Sequence, residues 1–151
     1  MENKPKVSLL LLTHNRYQMT KYCLLNALEK TGFDDFELLI LDNGSTDKRI
    51  TNLFVEPCFP ALKGGTIESV PENIGIAAGF NRLLKKAKGD YICFLSNDIL
   101  LQENWLLDLL HYCNDIGKAG LASIYCEGDK GLYTKTLAHD DSFTHVWKNK
   151  N

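Results

Sequence analysis

The stretch VSLLLLTHNR, residues 7–16, decides the fold. Its first part, VSLLLL, is a near-continuous apolar run, which is typical of a β-strand that is covered on both faces. The polar turn THNR at residues 13–16 then ends the strand. The same reasoning predicts further strands at residues 36–41, 66–70, 91–95 and 119–124.

A helix is predicted after each of these strands except the last. In residues 17–30, Tyr17, Leu24, Leu25 and Leu28 fall on one side of a helical period. Further helices are predicted to end near residue 55 and to span residues 76–87 and 103–113. Short strand–helix crossovers give a mostly parallel sheet with helices on both faces. The sequence thus predicts a single three-layer α/β/α, Rossmann-like domain over residues 1–151.

The overall composition excludes several classes of protein. The chain has 151 residues, 44% of them hydrophobic and 24% charged, as in an ordinary globular domain. Its formal net charge of −2 gives no positive field to attract nucleic acid, so nucleic acid is not a predicted partner. Five cysteines without a CxxC pair predict reduced thiols rather than a zinc site.

The sequence also gives an expectation for the location of the protein. No apolar run approaches the roughly 18 residues of a membrane span, and the start MENKPK lacks a signal-peptide core. We therefore expect a cytoplasmic protein, and peripheral association with the inner face of the membrane is compatible with this expectation.

Polar loops follow the first four predicted strands, at residues 13–16, 42–46, 71–75 and 96–98. In parallel α/β sheets, ligands bind outside the carboxyl ends of the strands. THNR replaces the glycine-rich fingerprint of a nicotinamide enzyme, and neither a P-loop nor a GxSxG hydrolase elbow is present. A sugar-phosphate nucleotidyltransferase would carry a glycine-rich loop and an arginine near its N-terminus, which this chain lacks as well.

Four segments in a fixed order carry a family resemblance. They are VSLLLLTHNR, FELLILDNGSTD, ENIGIAAGFNRLLKKAKGDYICFLSNDILL and ENWL, within residues 5–124. Together they resemble the family 2 glycosyltransferases, which have the GT-A fold. The resemblance implies that residues 5–124 form a nucleotide-sugar-binding core, that residues 125–151 form a short, irregular tail on the acceptor side, and that a UDP-sugar is the donor.

The resemblance also implies a set of nucleotide-binding residues. Asp42 would accept a hydrogen bond from the base, as a carboxylate suits the N–H donor of uracil. Gly79 would let its helix approach the ligand or the sheet closely. Arg82 faces the diphosphate or is an ordinary surface arginine. The other residues implied at this site are Thr13, His14, Asn15, Arg16, Asn43, Ser45, Asn73, Gly75 and Asn97.

Ser96-Asn97-Asp98 stands where the family carries its D-x-D metal motif. The resemblance implies that Asp98 binds Mg²⁺ or Mn²⁺, since hard cations prefer oxygen ligands. Ser96 departs from the motif by replacing a carboxylate. We therefore expect a weaker cation site that binds well only together with the donor.

The family's catalytic base is an Asp or Glu that takes the proton of the acceptor hydroxyl. Here Asp140 and Asp141 are the candidates, although their context differs from the family's acidic motif. The resemblance implies an inverting transfer to a glycan or a lipid-linked acceptor. The alternative is a truncated or degenerate relative that binds nucleotide-sugar without transferring it, which the short C-terminal part favours.

Overall fold

The computed structural model describes residues 6–53, 66–115, 121–123 and 145–148. Strands and helices alternate along the chain over most of these ranges. In order they are β1 (Val7–Thr13), α1 (Tyr17–Glu29), β2 (Phe36–Asn43), α2 (Lys48–Leu53), β3 (Thr66–Val70), α3 (Ile76–Leu84), β4 (Tyr91–Ser96), α4 (Trp105–Asp115), β5 (Leu121–Ser123) and β6 (His145–Lys148).

The strands form one sheet in the order β3-β2-β1-β4-β6-β5. The pairs β1–β2, β1–β4 and β2–β3 are parallel. β6 runs antiparallel to both β4 and β5. The predicted α/β class with a mostly parallel sheet is therefore confirmed.

Two apolar layers cover the sheet because side chains on a strand alternate between its faces. Val7, Leu9 and Leu11 of β1 face a core that also contains buried residues of α1, α2 and α4. Leu10 faces the opposite core, which is covered by α3 through Leu83. The near-continuous apolar sequence of β1 follows from this burial on both faces.

Gly79 explains how closely α3 approaches the sheet. A Cβ atom at this position would lie 2.6 Å from Leu12 Cδ1, a distance that real contacts essentially never show. The expected close approach is therefore made to β1. Arg82, on the same helix, donates from Nε to Glu68 Oε2 at 3.0 Å, as a surface arginine would.

The ends of the elements differ slightly from the prediction. β1, β2 and β4 each run one or two residues further than their apolar cores, to Thr13, Asn43 and Ser96. The helix expected over residues 76–87 ends at Leu84. Pairing with a neighbouring strand continues through polar residues, so the apolar pattern underestimates strand length.

The C-terminal part contains a strand that the sequence did not predict. Of residues 125–151, predicted to form a short, irregular tail, the structure describes only residues 145–148, which form β6 and pair with both β4 and β5. A strand of 4 residues is too short for an alternating pattern to stand out. Its partner, Tyr91–Cys93 of β4, lies far away in sequence, so no local signal indicates the pairing.

Candidate functional site

The carboxyl ends of the parallel strands lie level with one another. Thr13 pairs with Asp42 across β1 and β2, and Leu12 pairs with Ser96 across β1 and β4. Asn43 pairs with Val70 at the end of β3. The polar loops that follow these strands thus begin at one edge of the sheet, which we call the rim.

β1 lies in the middle of the parallel part of the sheet. β2 and β3 extend the sheet on one side of β1, and β4 lies on the other side. The chains that leave β1 and β4 lead to α1 and α4, which pack in the same apolar layer. The loops that follow Thr13 and Ser96 therefore lead to the same face of the sheet.

The loop after β1 is held in an unusual backbone conformation. Asn15 and Arg16 have φ angles of 55° and 54°, in the left-handed region that disfavours residues with a Cβ atom. The Asn15 N–H donates to Ser45 Oγ at 2.7 Å. Its side-chain Oδ1 accepts from the N–H groups of Thr46 and Asp47 at 2.9 and 3.0 Å. These bonds join residues 13–16 to the loop after β2.

Asp42 lies almost completely inside the protein. Its exposed fraction is 3%, and Oδ1 accepts a hydrogen bond from the Ser45 N–H at 3.0 Å. A buried carboxylate needs such donors, because an unpaired charge away from water is strongly disfavoured. Asp42 thus shapes the turn that follows β2.

Asn43 connects the loop after β2 with the loop after β3. Its Nδ2 donates to Asn73 Oδ1 at 3.1 Å and to the Gly75 carbonyl at 3.3 Å. Its Oδ1 accepts from the Ile74 N–H at 3.0 Å. The backbone carbonyl of Asn43 contacts His14 Nδ1 at 3.0 Å. Through its side chain and its backbone carbonyl, Asn43, which is 2% exposed, therefore holds three loops together.

Gly44 allows these two loops to touch. It has a φ of +75°, and a Cβ atom there would lie 2.3 Å from the backbone carbon of Glu72. No side chain fits in that gap. The backbone at residues 72–73 can pass against the turn only because position 44 is glycine.

The loop after β4 is anchored beneath the rim. Asn97 Nδ2 donates to Thr20 Oγ1 at 3.0 Å and to Thr13 Oγ1 at 3.3 Å. Thr13 and Thr20 are themselves hydrogen-bonded through their hydroxyl oxygens at 2.9 Å. The side chains of Thr13 and Asn97 therefore point towards α1, and their contribution to a ligand site is to position the loops.

Sequence reasoning missed Thr20, although a signal was present. Thr20 lies three residues after Tyr17, on the side of α1 that carries Leu24 and faces the core. A polar residue inside an apolar helical stripe is buried, and a buried hydroxyl needs a partner.

Asp98 is the exposed member of the Ser96-Asn97-Asp98 turn. The Ser96 hydroxyl donates to Asp98 Oδ1. The Cys23 thiol, from α1, donates to the Ser96 carbonyl at 3.1 Å. Burial raises the pKa of Cys23 to about 12, and the charge of Asp98 acts in the same direction, against a hydrogen bond with the Ile99 backbone. Cys23 therefore acts as a neutral donor.

The chemistry of this turn fits a hard divalent cation in part. A carboxylate and a hydroxyl oxygen are ligands that Mg²⁺ and Mn²⁺ accept. Over the described ranges, however, no group of three or more His, Cys, Asp or Glu side chains is placed to hold a metal ion. Asp98 would therefore share a cation with the oxygens of a bound ligand and water.

The structure brings most of the sequence-predicted site residues to the rim. His14, Arg16, Asn73, Gly75 and Asp98 are exposed there. Asn15 and Ser45 are partly exposed and bond to each other. The candidate bases Asp140 and Asp141 lie outside the described residues, so their roles stay predictions.

Comparison with known proteins assigns the chain to a family. The model of glycosyl transferase family 2 matches residues 8–151, which is nearly the whole chain. This chain belongs to glycosyl transferase family 2. It spans between 24% and 43% of the length of three curated relatives that it matches.

One of these relatives has a named activity. It is the poly(ribitol-phosphate) beta-N-acetylglucosaminyltransferase TarP of Staphylococcus aureus, which is 32% identical over 143 residues. The match covers 86% of this chain and 41% of TarP.

Solved structures show the same fold. S. aureus TarS 1-349 gives a TM-score of 0.69 at 19% identity and covers 95% of this chain and 47% of TarS 1-349. The mannosyltransferase PcManGT of Pyrobaculum calidifontis gives 0.60 at 20% identity, over 80% of this chain and 35% of that protein. TarS 1-349 was solved with UDP-GlcNAc, and PcManGT with GDP-Man and Mn²⁺. At 19% and 20% sequence identity, the structural likeness to these two proteins shows only that this family 2 chain has the GT-A fold.

In the part of the chain that the structure describes, no helix is long and apolar enough to cross a membrane.

Proposed function

We propose that this chain transfers a sugar from a nucleotide-diphosphate sugar, with UDP-sugars preferred, to a glycan or lipid-linked acceptor. The observation that carries the proposal is the level rim, where Thr13, Asp42 and Ser96 end adjacent strands in register. Family membership gives the reaction class, and the complexes of TarS with UDP-GlcNAc and of PcManGT with GDP-Man support a nucleotide-sugar donor.

In this proposal the nucleoside lies over the loops after β1 and β2. Oδ1 of Asp42 is held by the Ser45 N–H, which leaves Oδ2 for the N–H donor of uracil. His14 and Asn15 lie beside it, since both bond to the loop after β2. The loop at residues 73–75, which is hydrogen-bonded to Asn43, would face the sugar-phosphate part of the donor.

Asp98 and Ser96 would hold a divalent cation together with the diphosphate of the donor. When bound, such a cation neutralises charge on the departing nucleoside diphosphate. The complex of PcManGT with Mn²⁺ supports this assignment. Because this chain supplies a single carboxylate at residues 96–98, we propose that the cation binds tightly only in the presence of the donor.

The proposed chemistry is a direct displacement with inversion. The acceptor oxygen forms a bond to the anomeric carbon while the bond from that carbon to the diphosphate oxygen breaks. The proton of the acceptor hydroxyl passes to a carboxylate base, for which Asp140 and Asp141 are the candidates.

Isothermal titration calorimetry with UDP and with GDP, each with and without Mn²⁺, tests this function. We expect UDP to bind more tightly than GDP and Mn²⁺ to strengthen UDP binding. Asp98→Ala should remove the Mn²⁺ effect, and Asp42→Asn should reduce the preference for uridine. Asp108→Ala, which removes an exposed aspartate of α4, is the matched control. If neither nucleotide binds under any condition, the proposal is wrong.

A donor-hydrolysis assay separates transfer from simple binding. Slow release of sugar from a UDP-sugar by the wild type, lost in Asp98→Ala, would support a transferase. Binding without any turnover would support a module that holds nucleotide-sugar without transferring it.

A further inference from the structure

Three side chains form a closed hydrogen-bonded group beneath the rim. Thr13 and Thr20 are joined through their hydroxyl oxygens at 2.9 Å, and Asn97 Nδ2 reaches both oxygens, at 3.3 and 3.0 Å. The two threonines are 1% and 0% exposed. We call these three residues the sub-rim triad. Its members come from β1, α1 and the turn after β4.

Three of the four donor hydrogens of the triad are used within it. The Asn97 amide nitrogen carries two N–H groups, and each has one threonine oxygen in reach. One hydroxyl proton then serves the bond between the two threonines. Both N–H groups of the Asn97 side chain thus donate to buried threonines, so Asn97 anchors the turn at residues 96–98 to the interior.

Thr20 lies at the centre of these connections. Its backbone N–H donates to the Arg16 carbonyl at 3.0 Å, in the loop after β1. Its hydroxyl bonds to Asn97, in the turn that carries Asp98. One residue of α1 therefore contacts both the loop at residues 13–16, proposed to bind the nucleoside, and the turn at residues 96–98, proposed to bind the cation. Thr20 itself is too deeply buried to touch a ligand.

A second contact reinforces the same connection. Cys23, three residues further along α1, donates its thiol to the Ser96 carbonyl at 3.1 Å. The first half of α1 is therefore bonded to two successive residues of the turn, Ser96 and Asn97. A turn fixed at both residues holds the Asp98 carboxylate in a set direction relative to the loop after β1.

We propose that Thr20 is a positioning residue that couples nucleotide binding to cation binding by fixing the turn at residues 96–98 against the loop at residues 13–16. The proposal rests on the function given above and adds a residue that neither ligand touches. A cation shared between Asp98 and a diphosphate requires the two loops to keep one spacing. Thr20 sets that spacing.

Two substitutions at Thr20 test the proposal. Thr20→Val keeps the shape of the side chain and removes the hydroxyl, which leaves Asn97 Nδ2 short of a partner. Thr20→Ser keeps the hydroxyl. The matched control is Thr31→Val, since Thr31 is also buried and bonds through its hydroxyl, to the Phe33 carbonyl at 2.7 Å, at the other end of α1.

The first measurement needs no ligand. Hydrogen exchange of the two Asn97 side-chain amide hydrogens, followed by NMR, should become about tenfold faster in Thr20→Val and stay near wild type in Thr20→Ser and Thr31→Val. Unchanged exchange at these amides in Thr20→Val would overturn the proposal.

The second measurement is the coupling between the two ligands, given by the ratio of the UDP dissociation constants without and with Mn²⁺. We expect this ratio to fall about fivefold to tenfold in Thr20→Val, in line with the loss of one buried hydrogen bond. Thr20→Ser should restore it, and Thr31→Val should keep it while lowering the melting temperature.

The outcomes separate the two proposals. A wild-type ratio in Thr20→Val would refute the coupling role even if UDP binds as expected. If the wild-type protein binds no UDP, the proposed function fails, and the exchange data alone decide whether Thr20 holds the turn.

Discussion

Replacing Asn43 with aspartate should destabilise the folded chain strongly, although the substitution changes only an amide group into a carboxylate. The two side chains have the same shape, and Asp keeps the oxygen that accepts from the Ile74 N–H. The Asn43 amide nitrogen, however, donates to Asn73 Oδ1 and to the Gly75 carbonyl. In Asn43→Asp, a carboxylate oxygen would face these two acceptors.

The size of the effect follows from these contacts. Losing two neutral hydrogen bonds costs about 1 kcal/mol each. The new carboxylate is buried at a site that is 2% exposed, which adds a desolvation penalty of similar size. We therefore expect Asn43→Asp to lower the free energy of unfolding by about 3 kcal/mol at pH 7.5.

The pH dependence has a definite sign. Burial and the facing acceptors favour the protonated form of the new carboxyl group, so its folded-state pKa lies above the unfolded value. The folded state then binds more protons, and the destabilisation is present at neutral pH and shrinks as pH falls through the folded-state pKa. A protonated carboxyl also regains a donor for the Gly75 carbonyl or for Asn73.

Urea denaturation followed by tryptophan fluorescence provides the assay, because Trp105 is 4% exposed in the native core. The control is Asn114→Asp: Asn114 is exposed, and its Oδ1 accepts from the Tyr91 hydroxyl at 3.1 Å, so this change should stay within about 0.5 kcal/mol. An Asn43→Asp variant as stable as Asn114→Asp at pH 7.5 would refute the hydrogen bonding of the Asn43 side chain to Asn73 and Gly75.

Three further predictions follow from the rim and its surroundings. Gly44→Ala should cost about 3 kcal/mol in urea unfolding, because its Cβ atom would meet the Glu72 backbone at a φ that disfavours alanine. Cys23 should resist iodoacetamide at pH 8 in native protein and react after unfolding, because burial raises its pKa from 9.0 to about 12. Peptide mass mapping measures this reaction. For the same reason, the contribution of Cys23 to the free energy of unfolding falls as pH rises above about 9. Ser96→Asp should raise the affinity for Mn²⁺ without nucleotide about tenfold in a titration calorimeter, since a second carboxylate joins Asp98.

The sequence predicts the fold well where local and global signals agree. VSLLLL is apolar at positions that face both core layers, and the structure buries both sets. The polar residue at the end of each run marks the rim, because parallel strands of similar length end together. β6 could not be predicted in this way, since its pairing with β4 depends on residues far apart in sequence.

The candidate site is predictable as a set of residues, but the direction of each side chain is not. Thr13 and Asn97 belong to the rim by sequence, yet both bond to Thr20 below it. Asn43 follows Asp42 in the sequence and yet serves the loop after β3. A resemblance marks where a motif stands, whereas the pairing of donors and acceptors in three dimensions decides which side chains remain for a ligand.

The replacement of a carboxylate by Ser96 changes the electrostatics of the ligand-free rim. Two carboxylates in one turn would repel each other and favour either proton uptake or a bound cation. Here the Ser96 hydroxyl donates to Asp98 Oδ1, so the single charge of Asp98 already has a hydrogen-bonding partner without any cation. The Cys23 thiol and the sub-rim triad fix the same turn from below. Protein contacts therefore fix this turn, and in the proposed function the negative charge that a cation would complement comes mainly from the diphosphate.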